Sequence, residues 1–144
     1  MSNRTQPPIQ HPVTDEGNRA TMPWALFFNF LFSGDIGTSW TPIFENLAVT
    51  GTPVYEGRYI LLTSNLAFFR INVNPNGGNS TSTAGSTAIN NFPLPFSQDG
   101  ICFAVSGYTG SNAGMVDAAT RKIFVPSWTS VSVGLTIIGL VEVQ

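Results

Sequence analysis

Residues 66–74 read Leu-Ala-Phe-Phe-Arg-Ile-Asn-Val-Asn, and their alternation is the clearest indication of the fold class. Alternate positions fall on opposite sides of an extended chain. One side is wholly apolar and the other is mixed: Phe69, Ile71 and Val73 against Phe68, Arg70 and Asn72. A period of two with one apolar side predicts a β-strand that covers a core. Residues 57–62 precede it across Ser64-Asn65, so the two segments predict a β-hairpin.

Strand and turn signals continue on both sides of this hairpin. The remaining predicted strands are 41–49, 89–92, 101–108, 115–118, 122–125 and 131–143. Turns rich in Gly and Pro separate them, and residues 74–88 form a low-complexity loop of Asn, Gly, Ser and Thr. Short strands at regular spacing predict an all-β protein with a single β-sandwich or jelly-roll-like domain over residues 39–144.

The last predicted strand changes character along its length. Its first half alternates apolar and small polar residues, but its second half places apolar groups on both faces. A strand that is apolar on both faces must be covered on both. We therefore expect a neighbouring copy to cover the outer side, with Ile138 and Leu140 in the oligomer interface of a homotrimer.

Residues 1–38 form a predicted N-terminal docking arm. The first 21 are Pro-rich and polar, whereas 22–32 predict one short helix, capped by Thr21 and with Pro23 in its first turn. Four large residues recur at helical spacing and are the expected docking contacts: Trp24, Phe27, Phe28 and Leu31. The helix is apolar nearly all round, so it must be buried on several sides. It packs on its own domain, or it also inserts into a partner subunit; the sequence leaves both open.

The chain is poor in charge. Charged residues make up 10%, against about 25% in typical proteins, and the net charge is −2. A surface of Asn, Ser, Thr and Gly suits a protein held inside a large assembly. Nucleic acid is not an expected partner, because phosphate binding needs Lys and Arg. No apolar stretch is long enough for a membrane span, so no membrane partner is expected. A single cysteine permits folding in a reducing cytoplasm.

The sequence offers no set of residues suited to catalysis. Its one histidine, His11, lies in the arm, and Cys102 sits between Ile101 and Phe103 as a small core residue. A zinc-type metal site needs several Cys or His ligands, and the carboxylates are scattered. We expect no enzyme activity, no catalytic or metal-binding residue and no cofactor, although a Ca²⁺ ion at a loop or trimer axis is left open.

The loop 74–88 is the predicted recognition surface. Loops on a rigid scaffold commonly carry binding residues. The expected exposed residues are Asn76, Asn79, Ser80 and Thr81. A host surface glycan is their candidate ligand.

Several stretches together resemble small bacteriophage virion proteins. The first is Asp15-Glu-Gly-Asn-Arg-Ala-Thr-Met-Pro-Trp-Ala-Leu-Phe-Phe-Asn-Phe-Leu, which is similar to the N-terminal segment of such proteins. The later ones resemble a fibre-tip or decoration domain: Trp40-Thr-Pro-Ile-Phe-Glu-Asn-Leu, Gly51-Thr-Pro, Gly57-Arg-Tyr, Phe68-Phe-Arg-Ile, Ser82-Thr-Ala-Gly-Ser-Thr and Ile89-Asn-Asn-Phe-Pro-Leu-Pro-Phe. The likeness spans roughly residues 13–143, and it implies a trimeric particle protein without carrying over any catalytic residue.

This resemblance implies a non-enzymatic virion structural protein, assembled in the host cytoplasm. A tail-associated fibre or tip subunit, adhesin-like and docked by its arm to other virion proteins, is the first expectation. A capsid cement or decoration protein that stabilises the head shell is the alternative. A carbohydrate-binding module or a depolymerase is a weaker one, since no carboxylate pair stands out.

Overall fold

The computed structural model describes residues 37–105 and 113–144, and every regular element in these ranges is a β-strand. The prediction of an all-β protein is confirmed for this part of the chain. The predicted helix 22–32 and nearly all of the arm lie outside the described residues, as does the end of the strand predicted over 101–108.

Within residues 37–105 and 113–144, twelve strands form two antiparallel sheets. The main sheet has nine strands in the order β1-β4-β5-β12-β8-β9-β10-β7-β2, and a small sheet has the order β11-β6-β3. Their bounds are β1 Thr38–Trp40, β2 Phe44–Glu45, β3 Ala48–Val49, β4 Val54–Leu61, β5 Leu66–Asn74, β6 Ser80–Ser82, β7 Ala88–Ile89, β8 Gly100–Val105, β9 Ala113–Asp117, β10 Lys122–Phe124, β11 Trp128–Val131 and β12 Leu135–Glu142. The finer prediction of a jelly-roll-like sandwich is not confirmed by this order.

The predicted hairpin is confirmed as β4 and β5. Tyr59 pairs with Phe69, and the turn closes with the backbone N–H of Leu62 donating to the carbonyl of Leu66 at 2.8 Å. Side chains of β5 alternate between buried and half-buried along the strand, as the period of two requires. The hairpin supplies two of the three longest strands of the main sheet.

The predicted last strand is divided between the two sheets. β11 pairs with β6 in the small sheet, while β12 lies in the main sheet between β5 and β8. The division falls where the chain carries three exposed residues, Ser132, Val133 and Gly134. The single strand predicted over 131–143 is therefore wrong in its first part, because a Ser/Gly stretch lets the chain change sheets.

The predicted first strand, 41–49, is also broken. It becomes β2 and β3, which belong to different sheets. Asn46 between them has a positive φ of 54°, a conformation that breaks a ladder and that Asn tolerates better than most residues. The hydroxyl of Thr87 fixes this corner by donating to the carbonyl of Asn46 at 2.9 Å.

The main sheet curls until its two edge strands approach each other. β1 and β2 lie at opposite ends of the strand order, yet only three residues join Trp40 to Phe44, a reach of about 13 Å. The Asn91 side chain clamps this link: its Oδ1 accepts the Ile43 N–H and its Nδ2 donates to the Thr41 carbonyl, both at 2.8 Å. Across the gap, the rings of Phe44 and Tyr55 lie 4.8 Å apart. Because the sheet curls, the side chains on its inner face are enclosed and form the hydrophobic core.

One hydrophobic core serves both sheets. Its fully buried large side chains come mainly from β5, β7, β10 and β12, and the small sheet adds Trp128 and Val131. An aromatic cluster extends the core toward β1, formed by Trp40, Tyr59, Phe69, Phe92 and Phe96. Burial of these groups is the main favourable term for folding.

Gly139 in β12 leaves room for the Phe69 ring, and its replacement should destabilise the fold. A methyl group at this position would overlap the end of that ring and would lie 2.9 Å from the Ile101 carbonyl oxygen. We expect Gly139→Ala to lower the free energy of unfolding by about 1–3 kcal/mol through overpacking.

The matched control is Gly134→Ala, just before the same strand, where the nearest atom is 3.6 Å away. Urea unfolding followed by circular dichroism measures both variants. Equal midpoints for the two would show that Phe69 can repack around the added methyl group.

Candidate functional site

β12 presents its two predicted interface residues on the outer face of the main sheet. Leu140 is 46% exposed and Ile138 is half-buried, whereas Ile137 and Val141 point into the core. The prediction that this strand carries apolar groups on both faces is thus seen in the structure. The described residues leave Leu140 largely exposed, whereas they bury Gly139 and Val141 on either side of it.

Cross-strand neighbours extend this apolar surface over several strands. Leu140 pairs with Phe68 on one side and with Ile101 on the other, and Ile101 pairs with Met115. Three of these side chains are strongly exposed: Leu140, Ile101 at 47% and Met115 at 49%. We call this row, together with Ile138 and Phe103 in the next row, the outer apolar band.

The band is uncharged along its length. Charged residues flank it: Arg70 pairs with Ile138, and Glu142 and Asp117 lie two residues beyond Leu140 and Met115 on the same strands. Isolated exposed apolar residues are ordinary, but a contiguous apolar patch on one sheet face marks a contact site. The outer apolar band is therefore the strongest candidate site in the described part of the chain.

A shallow groove of about 420 Å³ opens where the band reaches β9 and β10. Its lining includes the apolar side chains of Met115 and Phe124, and also Asp117 and the turn at Ala84 and Gly85. Met115 and Phe124 are cross-strand partners, so the groove continues the row of the band. It has the size to accept one or two apolar side chains of a docking segment.

A second groove, of about 350 Å³, lies on the same sheet toward the other end of β4 and β5. Its lining is mixed, with the polar residues Glu56, Arg70, Asn72 and Thr136 beside apolar ones such as Val54 and Leu135. The oxygen Oδ1 of Asn72 accepts hydrogen bonds from Thr136 Oγ1 at 3.0 Å and from Arg70 Nε at 3.3 Å. These polar groups bond to one another, which leaves this groove the weaker candidate.

Sequence reasoning missed Ile101, Phe103 and Met115 as surface residues. The alternation of β8 is plain in the sequence, but alternation does not say which set faces the core. Cys102 faces inward because it lies between two glycines, Gly139 and Gly114, in a narrow part of the core. The larger Ile101 and Phe103 are thereby turned outward.

The predicted recognition loop is only partly a loop. Asn76 and Asn79 are exposed, as predicted, but Ser80 is fully buried and Thr81 half-buried in β6. Ser80 Oγ accepts the indole N–H of Trp128 at 3.0 Å, and Thr81 Oγ1 accepts the Ser130 N–H at 2.9 Å. The assignment of Ser80 to an exposed recognition surface is wrong, because its hydroxyl is needed to satisfy a buried tryptophan.

The Cys102 thiol and the Glu45 carboxyl both have structural roles. Burial raises the pKa of the Cys102 thiol to about 12, which keeps it protonated and unreactive. The Glu45 carboxylate accepts hydrogen bonds from Lys122 Nζ and from Asn90 Nδ2, each at 2.7 Å. These hydrogen bonds lower the pKa of the Glu45 carboxyl, and the one from Lys122 has the larger effect. Within these ranges, no three His, Cys, Asp or Glu side chains cluster closely enough to hold a metal ion.

The four predicted docking residues, Trp24, Phe27, Phe28 and Leu31, lie outside the described residues. The structure does place the start of β1, where the arm joins the domain, at an edge of the main sheet. Residues 37–105 and 113–144 contain no helix long and apolar enough to cross a membrane. Comparison with protein-family models, with curated proteins and with solved structures finds no match.

Removing the Ser80 hydroxyl should destabilise the small sheet. In Ser80→Ala, the indole N–H of Trp128 loses its acceptor in a buried position, which should cost about 1–3 kcal/mol. Ser132→Ala is the control, because Ser132 is exposed and a surface change usually stays within about 0.5 kcal/mol. Urea unfolding followed by Trp fluorescence reports the difference. A loss no larger than in the control would mean that another acceptor replaces the hydroxyl.

Proposed function

We propose that this chain is a non-enzymatic structural protein of a bacteriophage particle, attached to the tail as a fibre or tip subunit through its N-terminal arm. The observation that carries the proposal is the resemblance of residues 15–31 and 40–47 to such proteins. The low share of charged residues supports it, since the cores of protein interfaces are depleted of charge. The short helix over 22–32 and a jelly-roll-like arrangement remain part of this proposal.

The outer apolar band supports an assembled state over a free monomer. An exposed face of Leu140, Ile101 and Met115 costs free energy in water that a neighbour would recover. We propose that copies associate as a homotrimer on the side of the sheet that carries Ile138 and Leu140. The exposed Asn76 and Asn79, at the opposite end of β5 from the Phe68 row, would then be available to a host surface glycan.

A capsid cement protein is the second candidate, and the same band favours it. A cement protein bridges shell subunits over a broad surface, and the band extends across β5, β12, β8 and β9. A tail fibre needs instead a discrete contact through the arm. The two roles share one fold and differ in copy number.

Counting copies in purified particles tests the proposal and separates the two roles. A tail component should be present at about a dozen to a few dozen copies per particle, as closed cyclic symmetry implies. Quantitative mass spectrometry against the major capsid protein gives this number. Hundreds of copies would reassign the chain to the shell, and a particle without the chain would end the virion proposal altogether.

A charge placed in the band should prevent association. In Leu140→Lys, assembly would bury an ammonium group without a partner, which is strongly unfavourable. We expect the variant to sediment as a monomer under conditions where the native chain sediments as a trimer. Val133→Lys is the control, because Val133 is 50% exposed in the link between β11 and β12. A native chain that sediments as a monomer would contradict the trimer.

A further inference from the structure

The arm joins the domain beside the row of the outer apolar band. Gly37 is the first described residue, and a Cβ on it would lie 2.8 Å from Ile60 Cγ1 and overlap the Tyr59 carbonyl oxygen. Ile60 pairs with Phe68, which pairs with Leu140, so Ile60 is the next member of the same row. Ile60 is 7% exposed, far less than Leu140, Ile101 or Met115. The residues before Gly37 therefore start at the β4 end of the row.

The segment 22–32 has the composition and length to cover the exposed part of this row. It reads Met-Pro-Trp-Ala-Leu-Phe-Phe-Asn-Phe-Leu-Phe. Neither this segment nor the outer apolar band contains a charged residue. As a helix of eleven residues it would be about 16 Å long. The band from β5 to β9 spans three interstrand spacings, about 14 Å. One helix placed across these strands would fill it.

The link between segment and band is short. Four residues, 33–36, separate Phe32 from Gly37, and the five steps between these two residues can span at most about 17 Å. This reach brings Phe32 over β5 or β12, from where the segment can run on toward β9. A covalent tether of this length gives the segment of the same chain an effective concentration in the millimolar range. A segment from another molecule lacks that advantage.

We propose that residues 22–32 pack across the outer apolar band of their own chain and cover Leu140, Ile101 and Met115. Because the segment is apolar nearly all round, its opposite side stays exposed after packing. A neighbouring copy in the proposed trimer, or another particle protein, would then meet the segment and not the bare strands. The packing itself does not depend on the particle role.

Chemical crosslinking in the full-length chain tests this arrangement. The variant Leu31→Cys/Leu140→Cys is treated with a short bis-maleimide at neutral pH and analysed by denaturing electrophoresis and peptide mass spectrometry. Native Cys102 can stay in place, since burial raises the pKa of its thiol to about 12 and leaves almost no thiolate to react. The native chain treated alike gives the background.

We expect a crosslink within one chain that joins the segment to β12, in a product of monomer mass. The matched control is Leu31→Cys/Val54→Cys: Val54 is 45% exposed on the same face, but it lies six residues from Ile60 along β4, about 20 Å away. The control should give no link. Products of dimer mass would assign the cover to a neighbouring copy, and an uncrosslinked Leu31→Cys/Leu140→Cys chain would overturn the proposal.

Limited proteolysis gives a second readout without new cysteines. Chymotrypsin cuts after the aromatic residues of 22–32, and the native chain should resist it there. In Leu140→Asp the buried charge should release the segment and raise its cleavage rate by about tenfold or more. Val54→Asp should leave the rate unchanged, and circular dichroism confirms that both variants are folded. Equal rates in the native chain and in Leu140→Asp would contradict the packing.

The outcomes separate this inference from the proposed function. An intrachain crosslink in a protein that is missing from particles would keep the packed segment and end the virion role. A protein that is present in particles but gives no crosslink would keep the virion role and end the proposal of the packed segment.

Discussion

Three residues, Thr41, Pro42 and Ile43, set the shape of the whole domain. They join the two edge strands of a nine-stranded sheet, so the sheet has to curl until those edges lie within the reach of the link. The Asn91 amide holds the link by one accepted and one donated hydrogen bond. Every side chain on the inner face then meets others across a narrow interior, and the aromatic cluster around Phe92 fills the seam.

The same curl decides what remains outside. A narrow interior accepts small groups where strands cross closely, which is why Gly139, Cys102 and Gly114 follow one another across β12, β8 and β9. The larger side chains of β8 are thereby placed on the outer face. The outer apolar band therefore results from the tight packing of small residues on the inner face. Cys102 is one of these packing residues, and its buried thiol stays protonated.

The low charge of the whole chain and the apolar outer face of the main sheet both favour association with another protein surface. A chain with few charged residues has little to keep copies apart, and a sheet with an uncharged band offers them a place to meet. The segment 22–32 is rich in apolar residues and precedes Gly37 by only four residues, and in the arrangement we propose it covers the band. An arm that covers its own sheet and still shows an apolar side would let the domain associate without leaving bare strands in water.

Alternation and turn residues act locally, so they were sufficient to predict the all-β class, the β4–β5 hairpin, and the short β9 and β10. The sequence also indicated that β12 is apolar on both faces, with Ile138 and Leu140 on the side away from the core. The folded domain was needed to see that residues 41–49 and 131–143 each divide between two sheets, that Ser80 is buried against Trp128, and that Ile101 and Phe103 face outward. Those outcomes depend on which strands become neighbours, and a period of two leaves both faces of a strand equivalent until the sheet around it exists.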